Sequence, residues 1–387
     1  MNKIVYMDHA ATTALDPKVL EVMMPYLTYE YGNAGGIYSL GRNAGEAVHV
    51  ARAQLANLLN STPDEIYFTS GGTESDNWAI KGVCDARKKY GNHIITTAIE
   101  HHAVLETCKY MEKHGYEVTY IPVDENGLVN PKDIEQAITD KTILVTCMHA
   151  NNEIGTIEPV EEIGKICNDR HIHFHVDAVQ TTGHIEVDVE RIGCNSLALS
   201  SHKFYGPKGV GAMYLKKGSV CTNFMLGGGQ ENNRRASTHN VAGIVGLGKA
   251  SELALLNMNE EYNQTIILRD KLIKTIEETI PDCKLNGDRV KRLPNNINFI
   301  FKGIEGESLI LFLDMAGVCA SSGSACTSGS LDPSHVLLAI GLKHEEAHGS
   351  LRLTLGKDNT EEDINLVAEK LPGIVNRLRE MSPLYNK

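Results

Sequence analysis

Residues 197–209 read LALSSHKFYGPKG: a short apolar strand, Lys203 just beyond its end, then a tight Gly-Pro turn. A lysine after a strand is ordinarily a solvated charge, and its company decides otherwise here. HVDAVQ, residues 175–180, puts Asp177 at the end of another apolar run, where an ionised carboxylate in a closed site needs a cationic partner. GGTES, residues 71–75, passes from the strand-like EIYFTS into a helical pattern. Such a turn offers unpaired backbone N–H groups and the positive end of a helix dipole to an anion.

Working outward, apolar runs alternate with helix-length segments through the first two-thirds of the chain. The runs are EIYFTS, HIITTAIE, KTILVTCMH, HIHFHVDA, NSLALSSHK and GVGAMYL, and residues 43–59 carry a helical apolar stripe. Near-continuous apolar strands between helices predict a parallel sheet covered on both faces. Ligands of such sheets sit beyond the carboxyl ends of the strands. Thr73, His101, Asn152, Asp177 and Lys203 fall there. After about residue 255 the pattern changes to a long helix over 258–280, strand-like RLPNNINFIF, helix-like GESLILFLDMAG, then SLRLTL and a last helix capped by Thr360 with Asp363. This mixture predicts a smaller α+β domain.

With 387 residues, 42% hydrophobic and 22% charged, the composition is that of a globular protein. The formal charge of −12 argues against nucleic acid or a membrane surface as the main partner. No run approaches the roughly 18 apolar residues of a spanning helix, and MNKIVYMDHAATT has no leader-like apolar core. Nine cysteines without a CxxC pair indicate neither a zinc framework nor a disulfide scaffold, which points to the cytoplasm. Cys84, Cys108, Cys147, Cys167, Cys194 and Cys221 sit in apolar runs and read as core. Cys319 ends an apolar run and reads the same way. HIHFHV sets His171, His173 and His175 at alternate positions, but no cysteine or carboxylate companion is evident, so no metal site is expected.

Cys326 is different. It stands in SSGSACTSGS, residues 321–330, where every other residue is Ser, Gly, Ala or Thr and nothing could bury it. The lysine, the aspartate and the anion cradle are the fixtures that pyridoxal 5'-phosphate requires: a Schiff-base amine, a carboxylate for the protonated ring nitrogen, and a grip on the phosphate. An accessible thiol on a polar arm could attack a sulfur atom loosened by that cofactor.

In these blocks the chain resembles the cysteine desulfurases of the NifS/IscS type, pyridoxal-phosphate enzymes of class-V aminotransferase kind. YMDHAATT, TSGGTESDN, EHHAVLE, MHANNEIG, SSHKFYGPKGVGA, GGGQE, LPNNINF, SLRLTLG and LREMSPLY carry the resemblance almost end to end. It implies an α/β, aspartate-aminotransferase-like fold (fold type I) with a mostly parallel seven-stranded sheet. The large domain would span residues 15–255. Residues 1–14 and 256–387 would form the small domain, carrying the arm at about 321–333.

The resemblance also implies roles. Lys203 would bind the cofactor covalently, His101 would stack on its ring and move protons, and Asp177 would pair with the ring nitrogen. Asn152 and Gln180 would reach the ring hydroxyl side, Asn152 also meeting substrate. Gly72, Thr73, Ser200 and His202 would hold the phosphate, with Thr238 reaching that of the other subunit of a homodimer. Arg352 would clamp the substrate carboxylate. Cys326 would take the sulfur of L-cysteine as a persulfide, leaving L-alanine, and is a candidate transient iron–sulfur ligand. A scaffold protein of the IscU/NifU type or another sulfur acceptor would be the partner. An aminotransferase or a lyase without a persulfide would share Lys203 and Asp177 but have no use for Cys326. A silent platform that only binds partners would need neither Lys203 nor Cys326.

Departures from the family pattern concentrate in two places. Gly32-Asn33-Ala34-Gly35-Gly36-Ile37-Tyr38 stands where the family has GNPSS, an apolar residue and His. Ser237 stands where it has Gly, and His239 follows Thr238. Both stretches are expected near the site entrance, as is the pair Arg234–Arg235. GGGQENNRR is expected to be a structural loop rather than a second phosphate site.

Overall fold

The computed structural model describes residues 4–322, 333–383 and 385. The chain begins with β1 (Val5–Tyr6), α1 (Pro17–Thr28) and α2 (Ser39–Leu58). It continues through β2 (Ile66–Thr69), α3 (Gly72–Arg87), β3 (His93–Thr97), α4 (His102–Glu112), β4 (Glu117–Ile121) and α5 (Pro131–Ala137). Next come β5 (Thr142–Met148), α6 (Val160–Asp169), β6 (His173–Asp177), α7 (Val189–Ile192), β7 (Ser196–Ser200), β8 (Gly211–Leu215) and the short α8 (Gln230–Asn233). The last third holds α9 (Val241–Thr279), β9 (Cys283–Leu285), β10 (Asn296–Phe301), α10 (Gly306–Met315) and β11 (Val318–Cys319). After them come α11 (His335–Ala339), α12 (His344–Ala347), β12 (Ser350–Thr354) and α13 (Glu361–Met381).

The expected seven-stranded sheet is present, in the order β2-β8-β7-β6-β5-β3-β4. It is parallel except for β8, which runs antiparallel to both β2 and β7. Every residue of β5, β6, β7 and β8 is buried, as strands covered on both faces must be. The period of two divides them between two apolar layers. Met213 and Leu215 of β8 join the layer of Trp78, Val83 and Val104 from α3 and α4. Ala212 and Tyr214 join that of Leu55, Ala51 and Leu247 from α2 and α9. Edge strand β4 escaped the sequence reading because its residues are only partly covered.

A further core gathers the three-stranded antiparallel sheet β12-β10-β9 with β1, α10, α13 and the C-terminal part of α9. The Thr360 cap is as expected: the Asp363 N–H donates to Thr360 Oγ1 (3.4 Å) and the Thr360 N–H to Asp363 Oδ2 (3.0 Å).

Helix α9 corrects one expectation: it starts at Val241, not near 258. Among the described residues it alone is long and apolar enough to cross a bilayer, but half of its apolar stretch is buried inside the protein. Its first half is glycine- and alanine-rich for a packing reason. A Cβ on Gly246 would come within 2.6 Å of Met23 Sδ on α1, and one on Gly248 within 2.6 Å of Ala51 Cα on α2. Small residues let three helices touch, which blurs the polar face that a sequence pattern needs.

Candidate active site

Each polar residue expected at a strand end arrives at one cavity of about 300 Å³. The 3-10 turn Ser201–Lys203 follows β7 directly, and Lys203 Nζ donates to the carbonyls of Ala10 (2.6 Å) and Ala11 (2.8 Å). Gln180 Nε2 donates to the same Ala10 carbonyl at 3.0 Å, so the N-terminal segment forms one wall. Asp177, the last residue of β6, is buried, and its Oδ1 accepts the Val179 N–H at 2.9 Å. Burial raises its pKa, while that N–H and the Lys203 charge pull it back.

The opposite wall is the start of α3. Gly71 has φ +154°, a conformation open to glycine, and a Cβ on Gly72 would stand 2.5 Å from Val179 Cγ2. The Gly72 backbone therefore packs directly against the Val179 side chain, with Gly72, Thr73 and Ser200 on the cavity surface. His202, also there, meets Thr12 Oγ1 through Nδ1 (3.0 Å), and burial, then Lys203 and Lys208, push its pKa to about 4. His101 caps α4: its Nδ1 accepts the Ala103 N–H at 3.1 Å, which puts the proton of the neutral ring on Nε2. Burial first, then the Lys203 charge, lowers its pKa to about 4.

Arg352 of β12 enters from the other core, buried to 2% exposure. Its Nη1 donates to the Asn152 carbonyl (2.9 Å) and its Nη2 to Asp8 Oδ1 (2.9 Å), while buried Nε has no partner. One edge of the guanidinium is thus half-committed to an internal carboxylate and half-unsatisfied.

The family model for "Aminotransferase class-V" matches residues 5–367. The chain belongs to that family. Within it, the chain is 59% identical over 387 residues to cysteine desulfurase IscS of Clostridium botulinum, covering 100% of this chain and 98% of the relative. A solved NifS-like protein superposes with TM-score 0.92 at 38% identity, over 97% of this chain and 100% of its own. A structure described as SspA in complex with cysteine gives TM-score 0.82 at 36% identity, over 92% and 100%. The class-V family implies pyridoxal phosphate, and the donor set fits it. The cavity presents an amine, a buried carboxylate, an imidazole donor and a helix N-terminus on one surface.

Of the described residues expected at the site, Thr238 is not on this surface, being exposed and apart from the cavity. Cys326 lies outside the described residues. Arg235 makes a two-pronged pair with Glu74 (2.8 and 2.9 Å), which ties its loop to the first turn of α3 beside Thr73, and Arg234 donates to the Cys221 carbonyl (3.0 Å). Asn33, Ala34 and Gly35 line a second cavity of about 450 Å³ with Arg52, Glu231 and His239. The departures there are physically linked, since a Cβ on Gly36 would sit 2.8 Å from Tyr38 Cζ. The tyrosine ring needs the glycine. Ser237 has φ +109°, so a serine occupies a backbone suited to the family's glycine.

The histidine run is corrected as well. His171 precedes β6 at φ +56°, while His173 and His175 are buried within it. His175 does have a carboxylate companion, Asp76. Among the described residues no cluster suited to a metal is present. The sequence reading missed Asp76 and Asp8. Asp76 was findable, lying three residues after Thr73 and hence on the same helix face. Asp8 gave no local signal, because a contact across 344 residues brings it to Arg352.

Proposed function

We propose that the cavity holds pyridoxal 5'-phosphate and L-cysteine, and that the protein is a cysteine desulfurase releasing L-alanine. The observation that carries the reading is the convergence of Lys203, Asp177, His101 and Arg352 on one cavity from separate elements. When bound, the cofactor withdraws electrons from the α-carbon of the substrate and weakens its bond to sulfur.

The chain's own residues do the rest. Lys203 supplies the amine that attaches the cofactor, and the first turn of α3, with Thr73, Ser200 and His202, holds its phosphate. Asp177 keeps the ring nitrogen protonated, with Asn152 and Gln180 beside the ring. His101 presents its Nε2 proton to the cavity. Arg352 orients the substrate by its carboxylate, through the edge formed by Nε and Nη2. The Cys326 thiolate then attacks the substrate sulfur. An S–S bond forms, the C–S bond breaks, and its electron pair stays on carbon and takes up a proton. In this reading the enzyme is a two-domain cytoplasmic homodimer whose Thr238 completes the partner's phosphate site, and an iron–sulfur scaffold or another sulfur acceptor receives the persulfide.

Purified protein given L-cysteine and a reductant should form alanine and sulfide in equal amounts, and Cys326→Ala should form neither. Alanine without sulfide, or full activity in the variant, would overturn the persulfide route.

A further inference from the structure

We propose that Asp76 holds a proton donated to His175 Nε2, so that the cavity floor carries one negative charge, placed on Asp177. The proposal rests on the cofactor reading for what Asp177 does, but the position of the proton is a property of the protein alone.

Strand β6 points His173, His175 and Asp177 to one face, two residues apart. Helix α3 lies against the strand and presents Asp76 to it, three residues beyond Thr73. His175 Nε2 is 3.1 Å from Asp76 Oδ1. On its other side, His175 Nδ1 meets Ser196 Oγ at 2.9 Å, and His173 Nε2 meets the same oxygen at 2.9 Å. All four side chains are at most 1% exposed. Asp76 and Asp177 both line the cavity.

The charged and titratable groups facing Asp76 are His175 and Asp177 from β6 and Glu100 from beyond β3. Strand β7 contributes Ser196 to this network, through its hydroxyl and its backbone. None of these is a cation matched to Asp76. Two carboxylates in one dry site do not both ionise, and the proton goes to the one with less support for its charge. Asp177 has the Val179 N–H and the Lys203 charge. Asp76 has an imidazole that burial keeps neutral, its pKa pushed down to about 3. Burial, then Asp177, then Glu100 raise the pKa of Asp76.

The hydrogen bonds then run in one direction. Asp76 O–H donates to His175 Nε2, His175 Nδ1–H to Ser196 Oγ, and the Ser196 hydroxyl to His173 Nε2. An ionised Asp76 would require the whole line to reverse. Asp76 is therefore a positioning residue: it acts on the bound ring through Asp177, by refusing a second charge beside it.

The test compares wild type with Asp76→Asn, whose amide N–H can donate to His175 as the protonated acid does. Asp76→Ser, smaller and still an O–H donor, carries the same expectation. A group protonated in the folded chain but ionised in the unfolded one makes stability fall as pH rises from its unfolded pKa toward its folded one. Urea unfolding of the cofactor-free protein at pH 6 and pH 8 should thus show a steeper loss in wild type. The difference should approach about tenfold in the folding constant per pH unit, the effect of one proton. Titration with pyridoxal phosphate at pH 7, followed by its visible absorption, should give affinities within about threefold of each other, because one negative charge remains in either protein. Parallel pH slopes, or tenfold weaker binding by Asp76→Asn, would overturn the proposal. Failure of the cofactor reading is a different outcome: neither protein binds pyridoxal phosphate, while the pH slopes still report the proton.

Discussion

Asp8→Asn should improve the apparent affinity for L-cysteine. In the substrate-free chain Asp8 Oδ1 accepts from Arg352 Nη2 at 2.9 Å, on the edge whose Nε has no partner. A substrate carboxylate can engage both donors only by displacing Asp8, which at 19% side-chain exposure has solvent to turn toward. A charge-assisted hydrogen bond contributes about 1.5–3 kcal/mol and a neutral one about half of that. The amide introduced by Asp8→Asn keeps an acceptor oxygen but loses the charge, so the internal competitor weakens by about 0.7–1.5 kcal/mol. With about 1.4 kcal/mol per decade, KM should fall roughly three- to tenfold. Because the change is in ground-state competition, kcat should stay near wild type. Steady-state alanine formation against L-cysteine concentration reads both constants. A KM that is unchanged or higher would refute the reasoning, since it would mean that Asp8 orients Arg352 rather than competing at it.

Other expectations concern the loop beyond β8. Ser237→Gly should raise stability by about 1 kcal/mol, since φ +109° is strained for a residue with a Cβ and the Ser237 N–H to Gln230 Oε1 bond (3.1 Å) is kept. A urea midpoint that falls would refute this. Glu231 accepts from both Arg52 Nη atoms (2.7 Å each), from the Phe68 N–H (2.8 Å) and from His239 Nε2 (2.7 Å). Burial opposes its charge, but these bonds win and bring its pKa down to about 2. Its contribution is therefore complete above its unfolded pKa and disappears as pH falls toward 2. Glu231→Gln should lose on the order of 3 kcal/mol at neutral pH and show a shallower acid limb, both read from unfolding curves at pH 3, 5 and 7.

The sheet and the cavity floor were legible because their signals are local. The apolar runs of β5 to β8 are bounded by turns, Asp177 ends its strand and Lys203 closes the turn just after its own, so chemistry and position coincide within a few residues. What stayed hidden depends on distant partners. The beginning of α9 was obscured by glycines that make sense only against α1 and α2. Asp8 and Asp76 are ordinary acidic residues until Arg352 and His175 face them. The Ser237 departure is the intermediate case. Its cost could be anticipated from the missing glycine, but only the backbone angle makes it real.

The carboxyl groups around the cavity divide by partner, and the division accounts for its charge. Asp8 pairs with Arg352, and Asp177 lies in the field of Lys203, so two anions meet two cations. Asp76 faces a neutral imidazole, and Glu100 receives only Thr97 Oγ1 and the Met148 N–H, each at 2.8 Å. Burial lifts Glu100 to a pKa of about 8, so near neutral pH it is mostly protonated, as Asp76 is. Before any ligand enters, the charged pairs cancel. An anionic phosphate therefore depends on the N–H groups at the start of α3, which carry no counter-charge to displace. The substrate carboxylate meets the opposite arrangement, an arginine whose charge is already matched. Entry of that carboxylate must release Asp8, so the same pair that keeps the empty site neutral sets the free-energy cost of filling it.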